Sequence, residues 1–358
     1  MGTGSGFFFK FTVVLAVVVY VLLGSYTVQP GTAYIQDWSF DVASEEVKGQ
    51  AEDSSEQWIP FRVQDYFGYV QSDGILALRG PVHWNVALSS ETFCNYSRQG
   101  NNLVIRDPRR NYLYPLNMSG YPVAREGGYY VLSSDMSGLT AFSSTGEFGF
   151  SREFSSLITA LDANTNTVGV GLLNGAVELF NQDGSSRVGI RPETSRINVV
   201  YGTALSNDSS FLGMVHGIDP QYLSLYSLNS GNFRLLWQRE LSVQTRSQTK
   251  IGFSQNGEFL LCEDGSKVLV LSTADSTQEY SLSIEGELVD FEFIPELESI
   301  YTLSTDNENS VLSIYSEDGR LYSRESFTGQ AQWLYSTGTA LYLGCGSWLR
   351  KIQIERSF

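Results

Sequence analysis

The chain is poor in the residues that most often carry chemistry. Its three cysteines, Cys94, Cys262 and Cys345, are too few and too scattered for a disulfide framework, and no pair has C-x-x-C spacing. Cys262 and Cys345 lie in apolar strand patterns and are expected as buried thiols acting as small hydrophobes. The two histidines, His83 and His216, are far apart in sequence and by themselves define neither a metal site nor an acid–base pair. They read as turn or packing residues, with His216 in a Val215-His216-Gly217 turn. No Gly-x-Ser-x-Gly elbow or phosphate-binding glycine loop occurs. Basic residues are outnumbered, with 23 Lys and Arg against 39 Asp and Glu and a formal net charge of -16. Such a surface repels a phosphate backbone, which excludes nucleic acid as the expected partner. It suits solubility and basic or cationic partners. No catalytic residue, metal ligand or cofactor is assigned.

What the chain has in quantity is strand and turn material. It holds 20 Tyr, 21 Phe and 34 Gly with only 4 Met, a bias toward β-structure and tight turns. At 358 residues with 42% hydrophobic content, it can bury a large core, and all-β folds of this size commonly form one unit.

The N-terminus is different. Residues 7–23 read FFFKFTVVLAVVVYVLL, about 17 residues and near the lower limit for spanning a hydrocarbon core. Lys10 is the only basic residue before Lys48, and Asp37, Asp41, Glu45 and Glu46 follow the run. The positive-inside tendency places residues 1–6 in the cytoplasm, a signal-anchor transmembrane helix at 7–24, and the rest outside. The competing reading is a cleaved signal peptide with Gly31-Thr32-Ala33 as its small-residue site. Residues 25–57 are acidic and lack periodicity from Asp41 to Glu56, as a flexible tether would. The folded domain is expected over 58–358.

That domain repeats. An apolar strand, a Gly/Asp/Ser/Asn turn, a second apolar strand, a polar turn and a third strand recur in GYYVLSSDMSGLTAFSSTGEFGFS from Gly128 and TVGVGLLNGAVELFNQDGSSRVGI from Thr167. Further copies start at Phe211, Glu258 and Ser299, each preceded by another strand such as Leu288-Val-Asp-Phe-Glu-Phe293. A period of about 40 residues matches four strands per propeller blade. The last unit, AQWLYSTGTALYLGCGSWLRKIQIE, has only three strands. A hairpin of Phe67–Gln71 and Ile75–Leu78 stands outside any complete blade. A toroid must join its ends or leave open sheet edges, so the hairpin is expected to complete the last blade near Leu349 to Ile354. The count is then seven blades, and it becomes eight if the hairpin and residues 84–116 belong to separate blades. A β-sandwich or barrel fits less well with repeats at one period.

The repeats resemble the WD40-like and quinoprotein-like propeller superfamily over Phe67 to Ile354. Gly138-Leu-Thr-Ala-Phe-Ser-Ser-Thr-Gly146 and Leu225-Tyr-Ser-Leu-Asn-Ser-Gly231 are similar to quinoprotein-type repeats found in bacterial outer-membrane assembly scaffolds. The Gly-His and Trp-Asp pairs of WD40 repeats and the full tryptophan-docking pattern are missing, so the resemblance implies a fold and no cofactor. Ser133 to Thr140 resembles the Asp box of sialidase-like propellers, with an extra residue before the glycine and no closing tryptophan.

Turns between second and third strands carry Asp135, Asp219, Glu263, Asp264, Asp306 and Glu308, and in a propeller these turns share one face. That face is the expected partner-binding surface. The functional expectation is a membrane-anchored, extracytoplasmic scaffold, periplasmic or extracellular, that binds an envelope or extracellular protein. The alternative is a carbohydrate-active or quinoprotein-like enzyme with its site in the central channel.

Overall fold

The computed structural model describes residues 31–47, 58–125, 127–228, 232–275 and 277–357. The expected cytoplasmic segment and transmembrane helix lie outside the described residues. Among the described residues, no helix is long and apolar enough to cross a membrane.

The described residues fold as eight antiparallel sheets, which makes eight blades rather than seven. Blade one is three-stranded (Ile59–Val63, Tyr66–Val70, Leu76–Pro81). Blades two to seven are four-stranded and span 85–116, 121–153, 158–190, 197–240, 251–283 and 287–328. Blade eight holds Ala331–Thr337, Ala340–Cys345 and Trp348–Ser357, and its fourth strand is Gly31–Asp41 from the start of the domain.

Each blade follows one burial gradient. The second strand is mostly apolar and buried, throughout its length in Gly128–Leu132, Thr167–Leu172 and Ala340–Cys345. A strand that packs neighbouring blades on both sides needs such a run rather than an alternating one. Outer strands alternate or are mostly exposed, as in Phe148–Glu153. First strands line the centre. Blades meet through apolar clusters, for example Phe259, Leu261 and Val270 of blade six against Phe293, Ile300 and Tyr315 of blade seven. At the seam between blades eight and one, a Cβ on Gly344 would stand 2.4 Å from Val63 Cγ1, so the absence of a side chain there permits the approach.

Ring closure departs from the sequence expectation. The Phe67–Leu78 hairpin does not pair with the last blade, because Ile59–Val63 precedes it and the three strands form their own sheet. The missing strand comes from 25–57, the range expected as a flexible tether. Gly31–Asp41 pairs antiparallel with Trp348–Ser357, from Gly31 opposite Ser357 to Asp41 opposite Trp348, with a bulge at Asp37. Past the bulge, Trp38 and Phe40 stack at 5.3 Å, and both pack with Val42 on the cluster of Tyr342 and Leu349. Asp37, read from sequence as a tether charge, accepts a 2.7 Å bond from Lys351 Nζ. Cleavage after Ala33 would trim this strand without removing it.

Among the described residues, no fourth strand pairs with the outer edge of blade one, Leu76–Pro81. Arg110 Nη2 donates to the Arg79 carbonyl at 2.8 Å, and Arg79 Nη1 donates to the carbonyls of Val42 and Ala43. Charged side chains at an open edge discourage further strand addition.

A chain beginning at Trp58 would bare the backbone of Trp348–Ser357 and lose the burial of Trp38, Phe40 and Val42. It should melt well below a chain beginning at Gly31 and associate through the bared edge. Equal melting temperatures and monomeric elution of both chains would refute closure by this strand.

Candidate functional site

The topology places all six sequence-predicted acids at turns between second and third strands, in blades three, five, six and seven. Their environments differ. Asp135 is exposed and organises its own turn, accepting from Ser133 Oγ (2.6 Å), Ser137 N (3.2 Å) and Ser137 Oγ (2.8 Å). These bonds hold its carboxyl below the usual range. Asp219 is exposed and faces Arg196 at 3.6 Å. Glu263 accepts from the Lys250 backbone N–H at 3.2 Å. Asp306 and Glu308 are exposed. Asp264 is not a surface charge. It is buried and accepts bonds from Ser242 N (3.1 Å), Ser242 Oγ and Val243 N (2.9 Å), fastening the segment that leaves blade five.

The acids are not confined to that face. On the opposite face, Asp183, Asp275 and Asp318 sit in turns between third and fourth strands. Hydrogen bonds from Ser185, Thr277 and Ser316 respectively hold their carboxyls low. Turn formation accounts for much of the acidity on both faces.

The same face as Asp135 and Asp219 carries an apolar seam that the turn-by-turn reading did not select. Leu157, Leu173 and Ile197 are 45%, 43% and 47% exposed. Backbone contacts relate them: Ile158 N donates to Met136 O (2.7 Å), Leu173 N donates to Leu157 O (2.8 Å), and Gly175 packs on Asn198, next to Ile197. The seam runs from blade three to blade five, with Asp135 beside Met136 at one end. At the other end, Asp219 pairs with Arg196 beside Ile197.

The central channel is the second region. Two cavities of about 490 and 710 Å³ share Val123 and Arg125. The smaller is lined by Tyr201, Thr203, Lys250, Asp290 and Glu292 among others. The larger reaches Arg62, Trp333 and Tyr335, the last two stacked at 5.9 Å. Arg125 is paired with Asp162 at 3.5 Å, and Lys250 approaches Asp290 at 3.8 Å. Glu292 has a weaker partner, accepting from Ser336 Oγ at 3.4 Å. Enclosure within the channel pushes its carboxyl up to about 8, and the neighbouring Asp290 carboxylate pushes in the same direction. Asp290 is raised too, by enclosure, with Lys250 opposing. Both acids touch channel solvent while protein surrounds them.

Of the sparse residues, all three cysteines are buried and unpaired, and burial raises each thiol. His216 is not in a turn. It lies inside the strand Phe211–Ile218, bonded through Nε2 to Ser224 Oγ at 2.8 Å, and burial lowers it to about 4. Among the described residues, no group of three His, Cys, Asp or Glu could hold a metal ion.

Blades in a closed ring, a turn face and a central channel define a β-propeller. The chain belongs to the family described as beta-propeller protein, whose family model matches residues 4–357. An uncharacterized protein of Treponema pallidum (strain Nichols) is 20% identical over 317 residues, 87% of this chain and 84% of its own. The crystal structure of BamB from Moraxella catarrhalis is similar with a TM-score of 0.64 at 14% identity, covering 90% of this chain and 100% of that one. The computationally designed Ika8 protein is similar at 0.59 and 12% identity, over 86% and 99%. At these identities the structural likeness concerns the fold.

Two predictions follow from the carboxylates. Asp264→Asn keeps the shape but weakens three bonds to a buried charge, and should cost about 1–3 kcal/mol in thermal unfolding. Asp306→Asn, at an exposed turn, should stay within about 0.5 kcal/mol of wild type. Equal melting of the two variants would show that Asp264 is as dispensable as a surface acid.

The second prediction concerns pH. Glu292 is raised from its ordinary 4.5 to about 8, so its contribution to stability is fully present below 4.5 and is lost as pH rises to about 8. In that window the folded chain holds a proton that the unfolded chain has released. Glu292→Gln should therefore unfold with a flatter pH dependence between 4.5 and 8 than wild type. Parallel stability profiles for the two proteins would show that the carboxyl is not raised.

Proposed function

We propose that this propeller is a protein-binding scaffold, anchored in a membrane through its N-terminal apolar run and displayed in the cell envelope or outside the cell. The observation that carries the scaffold reading is the seam of Leu157, Leu173 and Ile197 between Asp135 and Asp219. Contiguous exposed apolar side chains with a polar rim are characteristic of interaction surfaces. A partner offering apolar side chains flanked by Lys or Arg would match both parts. The anchor reading rests on the 7–23 run with Lys10 near its start. Residues 25–30 then form the whole connection to the closure strand. Six residues reach at most about 22 Å when extended, so the propeller would ride close to the bilayer.

The enzyme alternative gains acids and aromatics in the channel, but their placement does not suit glycoside hydrolysis. Asp290 and Glu292 stand two residues apart on one strand. Hydrolysis needs two carboxyls on opposite sides of the scissile bond, whereas these two share one strand and so one wall of the channel.

One engineered position tests location and docking together. Because Cys94, Cys262 and Cys345 are all buried, a Leu173→Cys thiol is available to a membrane-impermeant maleimide that also carries a photo-crosslinker. Intact cells or spheroplasts should label the variant and not wild type, and light should join it to one partner. Leu321→Cys, on an outer strand, should label without joining that partner. Labelling only after lysis would refute the extracytoplasmic location. Labelling without a position-specific crosslink would refute docking at the seam.

A further inference from the structure

One turn on the face opposite the seam departs from its counterparts in both backbone and charge. Asp107 to Asn111 joins the third and fourth strands of blade two, Leu103–Arg106 and Tyr112–Leu116. The Arg110 N–H donates to the Asp107 carbonyl at 2.9 Å. In blades three, four and seven the N–H groups of Gly146, Gly184 and Gly319 make the same bond to Ser143, Asn181 and Ser316. All four positions are left-handed, with φ of +84°, +79° and +83° at the glycines and +66° at Arg110. Glycine takes that conformation freely, whereas a Cβ makes it unfavourable. Turn formation therefore selects against the residue that blade two carries here, and a side chain kept against that preference points to a use for it. The charge is reversed as well. Blades four and seven place Asp183 and Asp318 just before the glycine, where blade two has Arg109.

These arginines border a groove. A cleft of about 450 Å³ lies against the outer strand of blade one, lined by apolar Val47, Trp58, Leu78 and Pro108 together with Arg109 and Arg110. Two more arginines adjoin it. Arg106 Nη1 donates to the Arg110 carbonyl at 3.2 Å, and Arg110 Nη2 donates to the Arg79 carbonyl at 2.8 Å. Arg109 and Arg110 are exposed. Among the described residues, none of the four forms an ion pair. Asp107, in the same turn, is engaged by the Asn111 N–H and side-chain amide at 2.7 Å each. Four arginines without a carboxylate partner thus gather at one place on a chain whose net charge is -16.

We propose that this groove is a docking site for an acidic, extended segment of a partner protein. Its carboxylates would sit on Arg109 and Arg110, and an apolar side chain would pack on the Trp58 and Pro108 lining. A guanidinium presents paired N–H donors that match the two oxygens of a carboxylate. The apolar lining gains from burying a side chain that a phosphate backbone or an inorganic anion does not offer. A flat anionic bilayer is a poorer match, because the same face also carries Asp183, Asp275 and Asp318. The segment does not extend the sheet, since Arg110 already occupies the Arg79 carbonyl at the strand edge. The groove selects the opposite charge from the seam and lies on the other face, so neither reading depends on the other.

Fluorescence anisotropy of a labelled, end-capped heptapeptide of alternating glutamate and leucine, titrated with the full chain, reads the interaction. Saturable binding that weakens with added salt is expected. The same peptide with glutamine for glutamate should bind about tenfold more weakly or worse. Arg109→Ser, at an exposed turn position, should weaken binding several-fold and leave the melting temperature unchanged. Arg110→Gly relieves the left-handed φ and should also weaken binding, which separates recognition from turn stability. No saturable binding, equal binding of the two peptides, or unchanged affinity in both variants would overturn the proposal. Displacement of the peptide by phosphatidylserine vesicles but not by phosphatidylcholine vesicles would overturn it in favour of a lipid surface. Glu52, Asp53 and Glu56 lie between Val47 and Trp58 in sequence. Binding seen only when these three are changed to their amides would overturn it in favour of the chain's own acids.

Discussion

The structure depends on one strand pairing, that of Gly31–Asp41 with Trp348–Ser357. Seven blades and a three-stranded remainder do not make a ring, because the last sheet would end on an unsatisfied edge of backbone N–H and C=O groups. Bringing the start of the domain back to its end satisfies that edge and adds Trp38, Phe40 and Val42 to the core. The bulge at Asp37 sets the register so that these side chains face inward while Asp37 meets Lys351 at the rim. The turn after the strand then delivers the Val42 and Ala43 carbonyls to Arg79 on blade one. One segment thus completes blade eight and ties it to its neighbour.

Closure also decides what the channel contains. A closed ring brings first-strand residues distant in sequence to one cavity. Arg125, Thr203, Lys250, Asp290 and Glu292 meet there only because the blades are held in a circle. Two carboxyls on one channel wall oppose each other's ionisation, and enclosure opposes it further. This arrangement works against stability near neutral pH, whereas the turn acids gain hydrogen bonds from theirs. Local unfavourable terms of this kind concentrate where proteins bind or react.

The fold was largely legible because its main determinant is local. Apolar-rich second strands, Gly- and Asp-rich turns and a constant period are visible without tertiary information. The closure strand was not, because GTAYIQDWSFD precedes an acidic stretch with tether composition, and its partner lies over 300 positions away in the chain. Strand pairing at that separation leaves no periodic trace in either segment. His216 was misplaced because Gly217, which does adopt a left-handed φ of +87°, suggested a turn inside what is a long strand. The channel site was half legible: the alternation of Asp290 and Glu292 with aromatics in Leu288 to Phe293 points both acids to one side of an inner strand. The apolar seam was not legible, because single exposed leucines in separate turns look unremarkable until topology joins them.

The acidity of the chain therefore works at two ranges. Exposed turn acids on both faces, many of them bonded to their own turn, produce a diffuse negative field that salt screens beyond about 8–10 Å. That field raises the local concentration of basic groups near the surface without specifying where they bind. Specificity needs either shape, as in the seam between Asp135 and Asp219, or desolvation, as at Glu292. A carboxyl enclosed by protein is screened far less, and its interaction with a cation depends on removing water from both. The seam adds an apolar requirement that a free ion cannot meet.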